Sequence, residues 1–232
     1  MKNLFRFGKN FRGRGSFSLP LEKWLFPPIL FGENPVFGTF RGLFAHPREK
    51  ERRRMTEEKI DIFSGGISLV LASASPRRKA LLEEHDIPFR VLTADAGEIS
   101  IPGDGESTAK RNALAKAEKV FDLLRERGEA QNAVVLGADT VIESDGKVLG
   151  KPSSLPDAER MLSSLAGKTH KVITGMALVS SRGRKVFAET TFVTFRPLTL
   201  PQIRSYMEKV NVLDKAGAYG AQEHGEMLIE KS

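Results

Sequence analysis

The chain has 232 residues, with 36 Lys plus Arg against 29 Asp plus Glu, a formal net charge of +7 and a pI near 9.7. The absence of cysteine excludes disulfide scaffolds, thiolate zinc sites and thiol nucleophiles. No run of about 18 apolar residues reads as a membrane-spanning helix, and 40% hydrophobic with 28% charged residues is ordinary for a globular chain long enough to bury a sizeable core.

The excess charge lies at the front. Residues 1–66 carry 13 Lys/Arg against 7 Asp/Glu, a net of +6, and the remainder carries 23 against 22. The same segment holds 10 of the 15 Phe and 8 of the 21 Gly. Its apolar residues follow no period of 2 or 3.6, and Gly or Pro interrupts every few positions. It reads as a basic leader, disordered or a mis-assigned start, with Met55 after Arg52-Arg53-Arg54 as the expected true beginning. Phe11-Arg12-Gly13-Arg14-Gly15 has the charge and the stacking groups to bind RNA. A nucleic-acid-binding arm is therefore the competing functional class. Acids, prolines and a missing apolar stretch argue against a secretory signal.

From Ile67 the pattern becomes regular. Ile67–Ala72 is a nearly continuous apolar run, as in a buried strand. Ser75-Pro76 supplies an N-cap and a proline at the first helical position, predicting a helix to about His85. Phe89–Thr93 reads as a strand. Residues 106–127 read as a helix, with Ala109, Ala113, Ala117, Val120 and Leu124 on one face. Ala133–Ile142 is a strongly apolar strand, turned by Asp145-Gly146 into Lys147–Gly150. Pro156–Leu165 reads as a helix closed by Gly167. His170–Ser180 and Lys185–Phe195 are strands joined by a hairpin at 181–184, and Leu200–Val210 is a final helix. Alternating strands and helices with two hairpins predict an α/β domain with a mixed sheet flanked by helices.

Three stretches carry chemistry. In Ser73-Ala74-Ser75-Pro76-Arg77-Arg78 a strand ends in small residues and a helix opens with two arginines. Cations there oppose the helix dipole, so the arrangement suits a bound anion. Backbone N–H groups, two hydroxyls and two guanidinium forks would converge on a phosphate chain. On residues alone, simple capping with solvated arginines is the equal alternative. In Gly137-Ala138-Asp139-Thr140 an acid sits inside a hydrophobic strand, which is costly unless it is paired or binds a metal. Strand-borne carboxylates suit Mg²⁺ or Mn²⁺ in phosphoryl chemistry. Lys151, between Gly150 and Pro152, and Lys116, at the edge of the alanine face, each read alone as surface charges. Glu98 is either a metal ligand or a surface acid. In the third stretch, 213–222, small residues allow close approach of backbone, and Gln222 offers both a donor and an acceptor. Without context it reads as a tight Gly-rich turn.

These motifs, with Gly150-Lys151-Pro152 and Asp214-Lys215-Ala216-Gly217-Ala218-Tyr219-Gly220, resemble in order and spacing those of the Maf family, the septum-formation proteins and nucleoside triphosphate pyrophosphatases. The resemblance covers about 67–232. It implies a mixed α/β fold like that of the inosine triphosphatase group, with a cleft between two lobes. It also implies hydrolysis of a nucleoside triphosphate to monophosphate and pyrophosphate with a divalent cation, Mg²⁺ or Mn²⁺. Under it, Asp139 is the proton acceptor that activates water and, with Glu98, a metal ligand. Ser73, Ser75, Arg77, Arg78, Lys116 and Lys151 become triphosphate-binding positions.

Arg77, Thr140 and Gln222 agree with the branch acting on dTTP and UTP rather than the 7-methyl-GTP branch, and a glutamine suits the imide edge of uracil or thymine. The family's members continue beyond the position of Lys231 with a strand and a helix, so the resemblance leads one to expect a domain lacking that closing piece and therefore marginally stable or inactive. The expected setting is the cytoplasm, with nucleotide rather than nucleic acid or membrane as partner and a homodimer as a candidate assembly. Clearance of modified nucleotides and division arrest both attach to the family.

Overall fold

Residues 66–232 are described by a computed structural model, and the readings made on residues 1–65 lie outside them. Strands β1 (Ser68–Leu71), β2 (Arg90–Val91), β3 (Ala133–Ser144), β4 (Lys147–Leu149), β5 (Thr169–Ser180), β6 (Gly183–Phe195) and β7 (Ile229–Lys231) form one mixed seven-stranded sheet. Its order is β2-β1-β3-β5-β6-β7, with β4 beside β3. Helices α1 (Pro76–Glu84), α2 (Gly105–Glu126), α3 (Leu155–Leu165) and α4 (Leu200–Lys209) flank it. The expected α/β class and mixed sheet are therefore observed.

Local chemistry sets most boundaries. The carboxylate of Asp104 accepts the Ser107 N–H at 2.8 Å to open α2, and Gly128 at φ +71 follows its end. Ser154 caps α3 by accepting the Asp157 N–H at 3.3 Å. Asp145 and Gly146 both take positive φ, as a tight two-residue hairpin requires. Three expectations are corrected. The second hairpin turns on Ser181-Arg182 alone, because Gly183 already pairs with Ser180 and Arg184 with Val179. The strand expected over 89–93 shrinks to Arg90 and Val91, which pair with Val70 and Leu71, the last two residues of β1. Ser75 is the N-cap of α1 by position, but its side chain caps nothing. Its own N–H instead donates to Ser73 Oγ at 3.3 Å.

The side-chain alternation of β3 divides the core. On one face Val135 and Val141 lie under α2, whose Ala113, Ala117, Val120 and Leu124 complete a buried layer. On the other face Val134, Leu136 and Ala138 pack with Leu81 and Leu82 of α1. Further along that face Ile142 and Val172 join a second core with Leu162 of α3 and Tyr206 of α4. Between these two cores stand Thr140 and Thr174, directly opposed in the sheet. Apolar packing is interrupted there, and a polar floor remains.

The sheet also has a gap at this level. β1 pairs with Ala133–Leu136, and β4 pairs with Ile142–Ser144. Both lie on the edge of β3 opposite β5, so residues 137–141 have no strand neighbour on that side.

Candidate active site

A cleft of about 910 Å³ opens at the gap. All of the residues singled out from the sequence line it: Ser73, Ser75, Arg77 and Arg78 from the β1–α1 junction, Glu98, Lys116, Asp139 and Thr140 at its centre, and Lys151 and Gln222 from the opposite lobe. Lys116 is paired with two acids and so is not a free surface charge, whereas Lys151 stays exposed at the edge of the cleft.

Asp139 is 7% exposed and faces α2. Lys116 Nζ donates to its Oδ1 at 2.6 Å, and Asn112 Nδ2 donates to its Oδ2 at 3.1 Å. The acid in the apolar strand is thus paired, which offsets the cost of its burial. Lys116 and Asn112 reach it because α2 lies unusually close to the sheet. A Cβ added at Gly137 would stand 2.2 Å from the Ala113 carbonyl oxygen, and one at Gly175 would stand 2.3 Å from that of Ala109. Only glycine at both positions permits this approach.

Glu98 comes from the loop between β2 and α2. Asn112 anchors that loop: its Oδ1 accepts the Ile99 N–H at 2.9 Å, and its Nδ2 donates to the Ile99 carbonyl at 3.0 Å. Thr108, one turn earlier, accepts the Ile101 N–H at 2.9 Å. So held, Glu98 receives the same Lys116 ammonium at 2.8 Å. That hydrogen bond, first among the causes, lowers the Glu98 pKa below the usual carboxylate value, with Lys151 and Arg78 adding favourable charge. Asn112 carries this geometry and was missed from the sequence. The available signal was a polar residue four before Lys116, inside an otherwise alanine-rich face.

Arg78 is set deeper than a surface phosphate ligand. Its Nη1 donates to Ser73 Oγ at 3.0 Å and to the Ala138 carbonyl at 3.1 Å, and its Nη2 to Thr140 Oγ1 at 3.2 Å. It thereby fastens the β1–α1 loop to the bare edge of β3. Burial, the largest influence, lowers its pKa, while Asp139 acts in the opposite direction. Arg77 is exposed, with Nη1 3.9 Å from Glu223 Oε1. No acid occupies the first turn of α1, so this end of the cleft stays cationic. Lys215 was also missed: the Gly-rich loop gave no sign that its lysine is 3% exposed.

Asp139 and Glu98 both bond the Lys116 ammonium, which fills the point between their oxygens and leaves their remaining lone pairs to the cleft. Among the described residues no group of three or more His, Asp or Glu is placed to hold a metal. Two hard carboxylates fit a divalent cation of the kind that takes its remaining ligands from phosphate oxygens and water, as Mg²⁺ does, and not an all-protein cage.

A model of the family "Maf-like protein" matches residues 68–232. A dTTP/UTP pyrophosphatase of Akkermansia muciniphila is 46% identical over 164 residues, covering 69% of this chain and 82% of the relative. Proteins of the same name from Thermotoga maritima and Bacillus mycoides are 44% and 42% identical, each over 70% of this chain and over 78% and 82% of their own length. Among solved structures, a nucleoside-triphosphatase, a dITP/XTP pyrophosphatase from Mycobacterium abscessus, aligns over 56% of this chain and 73% of its own, at 16% identity and a TM-score of 0.33. The chain belongs to the Maf-like protein family.

Proposed function

We propose that residues 67–232 form the catalytic domain of a nucleoside triphosphate pyrophosphatase that hydrolyses dTTP and UTP to the monophosphate and pyrophosphate. The observation that carries the chemistry is the Asp139–Lys116–Glu98 cluster at the bare edge of β3, inside a cleft whose walls present Arg77, Arg78 and Lys151. The shared name of the relatives supports the pyrimidine substrates.

In this reading the triphosphate lies along the β1–α1 junction, where Ser73 and Ser75 offer hydroxyls and Arg77, Arg78 and Lys151 offset its charge. Asp139 takes a proton from the water that attacks the α-phosphorus. The bond from that phosphorus to the oxygen bridging to the β-phosphate breaks, and pyrophosphate leaves. Lys116 and Asn112 hold the Asp139 carboxylate toward the reacting water, a positioning worth several orders of magnitude in such reactions. Asp139 and Glu98 would hold the divalent cation, which supplies charge neutralisation on the phosphate oxygens. Gln222 reads the imide edge of the base.

Pyrophosphate release from dTTP and UTP with Mg²⁺ or Mn²⁺ tests the reading. Asp139→Asn keeps the shape of the side chain and is expected to lower turnover by about 10²–10⁴-fold. Undiminished release in the variant removes Asp139 from its role.

A further inference from the structure

Behind the base-reading glutamine lies an ion pair that the phosphate chemistry does not use. Glu223 N–H donates to the Gly220 carbonyl at 3.2 Å, closing a four-residue turn with Ala221 and Gln222 at its tip. Both ends of this turn are clamped from within. At Gly220 the backbone N–H donates to the buried Tyr206 hydroxyl at 3.1 Å. At Glu223 the Oε2 carboxylate oxygen lies 3.0 Å from Lys215 Nζ. Lys215 is 3% exposed, and its other contacts are the Asn211 carbonyl at 2.8 Å and Asp214 Oδ1 at 2.7 Å. Two of these contacts are hydrogen bonds and the one to Glu223 is an ion pair, so the buried ammonium is enclosed by three oxygens. The enclosed lysine presents a fixed positive charge, and the half-exposed Glu223 carboxylate is held against it by ion pairing.

We infer that the Lys215–Glu223 ion pair is the device that sets base selection, acting on Gln222 through the turn. Both residues border the cleft, and the role assigned to them is to position Gln222 rather than to contact the base. Gln222 is exposed in the cleft and makes no hydrogen bond within the protein among the described residues, so its orientation toward a base depends on the backbone that carries it. Glu223 also presents its second oxygen to Arg77 at 3.9 Å. The pair thus ties the base end of the cleft to its phosphate end. The inference rests on the pyrophosphatase reading and goes beyond it by naming what holds the reader in register.

The test compares UTP, whose base presents an imide edge, with CTP, whose base presents an amino group. In Glu223→Ala the KM for UTP is expected to rise about tenfold with kcat changed less than twofold, and the UTP-over-CTP ratio of kcat/KM to narrow about tenfold, as for the loss of one hydrogen bond to the base. Glu223→Gln keeps an oxygen for Lys215 and is expected to restore most of the discrimination. Should Glu223→Ala fail to fold, Glu223→Asp keeps the charge, draws the turn back by one methylene and carries the same expectation in weaker form. Unchanged discrimination in a folded variant overturns the inference. So does an equal loss for UTP and CTP, or a fall in kcat alone. A wild-type protein that hydrolyses no nucleotide refutes the pyrophosphatase reading separately. Calorimetric binding of UTP and CTP to wild type and Glu223→Ala then decides the inference, and equal affinities in the wild type overturn it.

Discussion

The close approach of α2 to the sheet can be tested with one methyl group. In Gly137→Ala the new Cβ would stand 2.2 Å from the Ala113 carbonyl oxygen, 2.9 Å from Ala117 Cβ and 3.0 Å from Ala117 N. Carbon and carbonyl oxygen sit comfortably from roughly 3.3 Å, so the helix must retreat by about 1 Å. Replacing glycine by alanine stabilises by about 0.4–1 kcal/mol where the backbone allows it, but overpacking costs about 1–3 kcal/mol. The clash wins, leaving a net loss of about 1–2 kcal/mol. In a chain of this size each kcal/mol moves Tm by about 2–4 °C, which predicts a drop of about 2–8 °C.

Activity should fall further than stability does. Asn112 and Lys116 ride on the displaced helix and lose their 3.1 Å and 2.6 Å contacts with Asp139. A misplacement of about 1 Å in a catalytic constellation costs roughly 100-fold, so pyrophosphate release from dTTP should fall about that much in protein that is still folded. Gly150→Ala is the control, because a Cβ there meets nothing within 4 Å. If Gly137→Ala melts and turns over like wild type, α2 does not set the geometry of Asp139.

Two further outcomes concern pH. Burial pushes the His170 pKa down from 6.5 to about 4. The unfolded chain therefore binds the extra proton between those values, and stability should decline by roughly 3 kcal/mol as pH falls from 6.5 to 4. Thermal melts across that window should show the decline in wild type and a flatter profile in His170→Gln; parallel profiles would contradict it. Glu143 has its pKa lowered first by the hydrogen bond from Lys171 and then by the Gly105 N–H. Its contribution is therefore present above the ordinary carboxylate range and lost as pH falls through the lower folded value. Glu143→Gln should accordingly lower Tm at pH 7 and by progressively less in acid; an equal deficit at both ends would remove the carboxylate charge from the explanation.

The parts of the site that were legible in the sequence are those whose signal is local. An acid in the apolar run Ala133–Ile142 marked Asp139 because burial of a lone charge has a known cost, and the arginines in the first turn of α1 stood out because they oppose the helix dipole. Long periodic elements such as α2 and β3 were legible for the same reason. Asn112 was not, because its partners Ile99 and Asp139 lie 13 and 27 residues away. It registers only as an interruption of an alanine face. Lys215 was hidden by its neighbourhood of small residues, which reads as a turn whichever way the lysine points. Strand β7 has three residues, too few for any period to register.

The cleft itself belongs to neither class, because it arises from where two strands stop. β1 ends opposite Leu136 and β4 begins pairing at Ile142, so five residues of β3 keep one bare edge. Adjacent residues of a strand point to opposite faces. Asp139 therefore faces α2 while Thr140 faces the divide between the two cores, and in a fully paired sheet no single ligand would meet both. Along a bare edge both faces are open from one side, which is why Asp139, Thr140 and the Arg78 guanidinium that seals the Ala138 carbonyl line one cavity. Any pairing that lengthened β1 or β4 by a few residues would improve the hydrogen bonding of the sheet and close the cleft. The shortness of these two strands is thus a requirement of the site rather than a defect of the sheet.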